Sequence, residues 1–126
     1  MDIKYYADTE NGRVYAIGTG KRGFAEGIDP AVAEFMIAHG YALRKDLTVP
    51  LITRGVAQVQ APDEYDYEVG RAIARDKVLA KHYRRVGRAL EAYQEGLKKM
   101  SRANTARCDY CKTKVANAEE RLDAIE

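Results

Sequence analysis

The sequence predicts an α+β fold: a small antiparallel sheet with a short helix, followed by a long C-terminal amphipathic helix or helical hairpin of coiled-coil character. Three observations carry this expectation. Runs rich in Tyr, Val and Ile flank an Asn-Gly pair near the start, an Asp-Pro and a glycine bracket a short apolar segment at 29–40, and from Asp63 onward no proline occurs while apolar residues recur at helical spacing.

The elements follow in order. "IKYYADTENGRVYAIG" places Asn11-Gly12 between two β-prone runs, and because that dipeptide readily adopts the positive φ angles of a tight hairpin, strands are predicted near 3–7 and 13–18. In "IDPAVAEFMIAHGY", Asp29 is an N-cap acceptor, Pro30 takes the first helical position where its missing N–H costs nothing, and Gly40 is the left-handed stop; a helix over 30–39 results. "LTVPLITRGVAQVQ" is β-rich but interrupted by Pro50, and Ala57 and Val59 alternate with Gln58 and Gln60. One or two further strands at a sheet edge are expected there.

From Asp63 or Asp66 a helical region begins. Its stripe is Val69, Ile73, Val86, Leu90, Tyr93, Leu97, Met100, then Cys108, Cys111, Val115, Ala118, Leu122 and Ile125. The steps of three and four are those of a coiled-coil seam, and the phase survives between Met100 and Cys108 only if Asn104 sits in the seam, which is a stutter. Either one bent or locally unwound helix of about 60 residues or a hairpin turning at 101–105 satisfies this pattern, and the absence of Gly or Pro at 101–105 favours the long helix. Its partner is the N-terminal sheet, the other helical arm, or a second copy of the chain through a seam of Val86, Leu90, Leu97, Met100, Cys108, Cys111, Val115 and Leu122.

With 126 residues the chain is long enough to bury about two thirds of its unfolded surface, so neither disulfide nor metal is needed to fold. The division expected is a small α+β region over 1–62 and a helical region over 63–126, joined as one folding unit. The formal charge is +2 but uneven: residues 1–65 hold seven Lys/Arg against nine Asp/Glu, and 66–126 hold fourteen against ten. Any electrostatic footprint therefore lies in the second half. The N-terminus has no apolar run behind a basic start, and nothing approaches the roughly 18 apolar residues of a membrane span. A cytoplasmic protein without a membrane partner is expected, its two thiols reduced.

Cys108 and Cys111 fall on the apolar stripe, and free cysteine packs as a small hydrophobe. A zinc site within one chain lacks ligands, since His39 and His82 lie in separate elements. Two parallel copies would bring four thiols to the axis, which keeps a shared four-thiolate zinc site or an interchain disulfide open, and redox chemistry remains a lesser alternative. No other cofactor is expected. "GTGKRG", 18–23, matches the glycine spacing of a phosphate loop, but it follows half of a hairpin and lies well before the next helix, so a flexible loop is expected, with Lys21 and Arg22 as its anion-binding alternative.

Lys77, Lys81, Arg84, Arg85 and Arg88, with Lys99 and Arg102, lie roughly opposite the stripe on a wheel of about 100° per residue and form a basic solvent face. Tyr83 and Tyr93 join them as the predicted partner or nucleic-acid surface, because aromatic and Arg anchors dominate interfaces. His82 has no neighbouring nucleophile or carboxylate arrangement, and "PDEYDYE" is explained by capping and by negative charge at a helix N-terminus. No catalytic residue is nominated.

"GVAQVQAPDEYDYEVGRAIARDKVLA" resembles a segment of small bacteriophage-encoded accessory proteins: a short strand, then Pro62, Asp63, Glu64, Tyr65 and Asp66, followed by Gly70, Ile73, Ala74 and Arg75. The resemblance covers about a fifth of the chain, residues 55–80, and excludes the hairpin and the cysteine pair. It implies a small protein that binds and blocks or modulates a host protein or nucleoprotein complex, as anti-defence and anti-CRISPR inhibitors do. The expected function is therefore non-enzymatic binding of such a target, with direct nucleic-acid recognition by the basic face as the alternative and a coiled-coil virion or scaffold component as the third.

Overall fold

A computed structural model describes residues 1–58 and 66–125. In chain order the elements are β1 (Asp2–Asp8), β2 (Arg13–Thr19), β3 (Gly23–Phe24), α1 (Pro30–Ala38), α2 (Arg44–Leu47), β4 (Thr48–Val49), β5 (Ile52–Gln58) and α3 (Tyr67–Ile125). The architecture is the predicted α+β one. One antiparallel sheet has the order β1-β2-β5, and β3 with β4 forms a second, two-stranded one.

The first hairpin forms where expected but turns differently. Asp8 pairs with Arg13, so four residues make the turn rather than two, and Gly12 alone takes a positive φ, +63°. The Asp8 carboxylate accepts from the Asn11 backbone N–H at 3.3 Å and from its amide Nδ2 at 2.8 Å, and these bonds hold Asn11 out of the left-handed region.

The brackets of α1 behave as the sequence predicts. Asp29 Oδ1 accepts from Ala31 N at 2.9 Å and Val32 N at 3.3 Å, and Gly40 ends the segment at φ +74°. For α3 the cap is Asp66, whose Oδ1 accepts from Glu68 N at 3.0 Å and Val69 N at 3.3 Å. The expected strand continuation through Val59 and Gln60, the Asp63 alternative for the helix start, and Pro62 to Tyr65 of the resemblance lie outside the described residues.

Of the two helical forms the sequence left open, α3 takes the long one: 59 residues run without interruption through 101–105, about 88 Å at roughly 1.5 Å per residue. Its first half lies across both sheets. Val14, Ala16 and Ala57 of the larger sheet close over Ala74 and Val78, while Ala25, Ile28, Ala33, Leu47 and Val49 close over Ala89.

This packed face differs by one step from the predicted stripe. Val69 and Ile73 are exposed, whereas Gly70, Ala74 and Val78 are buried. The cause is backbone proximity: a Cβ on Gly55 would come within 2.5 Å of the Ala74 carbonyl oxygen, and one on Gly96 within 2.7 Å of Met36 Sδ. A helix held that close to a sheet takes Gly70 and Ala74 at its tightest points, and Val78 fits on the contact line because Gly18 and Gly55 carry no side chain opposite it.

Candidate functional site

The predicted basic surface is divided by the fold. Lys77 and Lys81 are exposed, but their ammonium groups are not free. Their ammonium groups donate to the carbonyls of Val56 at 2.7 Å and Arg54 at 2.8 Å, spanning one helical turn against alternate residues of β5. Strand β5 is an edge of its sheet, and the two lysines cap outward carbonyls that would otherwise invite another strand.

Arg84, Arg85, Arg88, Lys99 and Arg102 are exposed. Tyr83 is the most exposed aromatic of the helix at 65%, but two residues from Lys81 amounts to about 200° of rotation, so the ring lies on the far side of the helix from that lysine. Tyr93 is no surface anchor: it is half-buried against the cluster of Ala25, Ile28, Ala33, Leu47 and Val49.

The predicted seam is divided as well. Val86 and Leu90 pack against that same cluster, so the protein's own body covers the stripe there. At Leu97, 40% exposed, and Met100, half-buried, the cover ends. From Ser101 to Ile125 every residue but Ala118 is exposed, and among the described residues no other part of the chain covers the stripe residues Cys108, Cys111, Val115, Leu122 and Ile125. Both cysteines are free and exposed, so the apolar packing expected of them on the stripe is not supplied by the described residues of this chain. Among the described residues no group of three His, Cys, Asp or Glu side chains is placed to hold a metal ion.

This bare segment is about 37 Å long at roughly 1.5 Å per residue. Alone, such a length is marginally helical in water, but here it extends a helix already nucleated by the packed half, so each added residue gains its hydrogen bond without a new nucleation cost. Arg107 and Lys114 each lie 5.3 Å from the Tyr110 ring centroid, one turn before and one turn after it.

The glycine-rich segment 18–23 has a structural role. Gly18 is buried in β2, where a Cβ would come within 2.8 Å of Val78 Cγ1. Gly20 N donates to Leu51 O at 2.9 Å, Gly23 opens β3, and α1 starts only at Pro30, so no helix N-terminus stands behind the loop. Lys21 and His82 line a groove of about 650 Å³ with Asp2, Glu26 and Val86, while Arg22 lines a second with Arg44 and Lys45. Arg44 is already engaged as a two-pronged partner of Glu34, at 2.8 and 2.6 Å.

The class these features define is an α+β protein whose body is clasped on the first half of one helix, with the second half projecting. No family model, curated protein or solved structure matches the chain. No helix among the described residues is long and apolar enough to cross a membrane. Sequence reasoning named most of the projecting stripe as a seam. It leaves open whether the N-terminal sheet, another helical arm or a second copy covers the first part, because the small residues making that contact with the body, Gly70, Ala74, Ala89 and Gly96, carry little apolar signal.

Proposed function

We propose that this is a non-enzymatic binding protein that occupies a site on another macromolecule through the projecting half of α3. The observation that carries the reading is the stripe of Cys108, Cys111, Val115, Leu122 and Ile125, which leaves the protein's own body with its side chains exposed. A helix with an uncovered apolar stripe is a ready ligand for a groove or a second helix. In the setting suggested by the resemblance of residues 55–80, the occupied target is a host protein or nucleoprotein complex, and binding inhibits or modulates it as phage accessory proteins do.

A tagged pull-down from bacterial lysate, split into nuclease-treated and untreated halves, tests this. The expected result is one complex retained in both halves by the native chain and lost by Val115→Asp/Leu122→Asp. Retention by that variant would overturn the reading.

A second reading, nucleic-acid binding, is favoured by the exposed cations Arg84, Arg85, Arg88, Lys99 and Arg102. It predicts binding that weakens steeply with salt and is lost in Arg84→Ala/Arg85→Ala/Arg88→Ala. Capture that disappears on nuclease treatment would favour it over the first.

A further inference from the structure

The bare stripe has a defined charge frame. Cys108, Cys111, Val115, Ala118, Leu122 and Ile125 follow one another at steps of three and four, the seam of a two-helix contact. The residues bordering it on one side are Arg107, Lys114 and Arg121, seven apart and all basic; on the other side stand Lys112 and Glu119. All five are exposed, and among the described residues none of them takes part in an ion pair. Bordering residues of this kind set which helix pairs with which, and in what direction.

A second copy of the chain is a poor occupant in either direction. Parallel pairing sets Lys114 opposite Glu119 of the copy but Arg107 opposite Lys112, and it cannot extend to Val86, Leu90 and Tyr93, where the stripe is already packed against the body's own core. Antiparallel pairing avoids that collision but lays like borders against each other. The row Arg107, Lys114 and Arg121 then faces its own copy in every register, and like charges placed opposite repel. Neither arrangement satisfies the whole basic row. A helix bordered by carboxylates satisfies it.

We propose that the projecting half of α3 is the docking site for an amphipathic helix of another protein whose apolar stripe is bordered by acidic residues. This rests on the binding reading above and names the chemistry of the partner. Tyr110 supports it locally: with Arg107 and Lys114 each 5.3 Å from its ring, the two cations are kept along one border of the seam.

The test uses the full chain and two synthetic helical peptides of about four heptads with the same Leu/Ile seam, one bordered by Glu and one by Lys. Fluorescence anisotropy is expected to show the Glu-bordered peptide binding about tenfold or more tightly than the Lys-bordered one, with the preference narrowing at high salt. Lys114→Glu/Arg121→Glu is expected to reverse the preference, and Val115→Asp/Leu122→Asp to abolish binding of both. Equal affinity for the two peptides overturns the proposal. So does a dimeric mass by light scattering that Val115→Asp/Leu122→Asp returns to monomer, which would assign the stripe to a second copy. Binding of a DNA duplex that the charge reversal removes and the Asp pair spares overturns it in favour of nucleic acid. If neither peptide binds while a lysate partner is still captured through Val115 and Leu122, the acidic-helix proposal falls and the binding reading stands; if capture also fails, both fall.

Discussion

Along α3, the body-facing line from Gly70 to Gly96 is built mainly of small residues, whereas the stripe from Cys108 to Ile125 carries Val, Leu and Ile and is left exposed by the described residues. The difference is one of distance. Where Ala74 and Gly96 face the body, the sheet and α1 supply the volume, through Val14 and Met36, and the helix backbone comes close. Larger side chains on the projecting half suit a partner helix whose axis stands about 8–10 Å away. One helix thus holds two contact chemistries, a tight one within the chain and an open one beyond it.

The sharpest way to break this comparison is to force the tight half apart. In Gly55→Val, the added Cβ meets the Ala74 carbonyl at 2.5 Å and Lys77 Cβ at 3.1 Å, so the backbone itself must move. Urea denaturation is expected to show a loss of about 3 kcal/mol, at the upper end of overpacking costs. A loss well under about 1 kcal/mol would mean that the helix lifts freely and that close approach does not organise the fold.

Next in size is the double change Lys77→Met/Lys81→Met, which keeps stem volume and removes both bonds to β5. Because these side chains are exposed, the expected cost is about 1 kcal/mol, together with a rise in scattering as the edge carbonyls of Arg54 and Val56 become available to other strands. Lost stability without association would show that the lysines fasten the helix but do not guard the edge.

Much of this arrangement was legible in the sequence because local chemistry specified it. Asp29, Pro30 and Gly40 bracket α1 by capping alone, and the absence of Gly and Pro at 101–105 correctly favoured an unbroken helix. The misreadings share a cause. Apolarity alone puts Val69 and Ile73 on the contact line, yet the line is decided by how near the helix approaches Gly55, a tertiary property that leaves no periodic signal. Lys77 and Lys81 are exposed as the wheel predicts, but a wheel carries no strand edge, so it does not show their ammonium groups reaching β5. Tyr93 has the character of an interface anchor in the sequence but lies half-buried against the core, because α1, α2 and the small sheet cover that part of the helix.

Gly87 offers a smaller effect of opposite sign. A Cβ there would meet nothing within 4 Å, so Gly87→Ala costs no packing and gains helix propensity, and a stabilisation of about 0.5–1 kcal/mol is expected in the same denaturation assay. Destabilisation would show that Gly87 is a contact point and that the tight line is wider than Gly70, Ala74, Ala89 and Gly96.

The Glu34–Arg44 pair ties α1 to α2 beside the tight half and gives a pH-dependent contribution. Hydrogen bonds from the Arg44 guanidinium, and then its charge, hold the Glu34 carboxyl below the ordinary glutamate value of 4.5. A lowered folded-state value contributes stability above the unfolded value and loses it as pH falls through the folded one. The melting difference between the native chain and Glu34→Gln is therefore expected to be small and constant near neutrality and to close in acid. A difference that persists in acid would mean that the pair acts through packing of the Arg44 side chain, not through charge.

The smallest expected effect is at Val115→Asp/Leu122→Asp, and its smallness is what makes the comparison testable. Both side chains are exposed, at 56% and 61%, so removing them takes no apolar area out of a folded contact within the chain. Stability of the isolated protein should change by less than about 0.5 kcal/mol, as for substitutions remote from any packed feature, and partner binding should disappear. A large loss of stability at low protein concentration would contradict the open half outright, and a loss seen only at high concentration would show that copies of the chain cover the stripe. If folding is unchanged and binding is lost, the two halves of α3 are separable in function as they are in chemistry: the first is needed for the body to form, and the second is free to engage a partner because the fold does not depend on it.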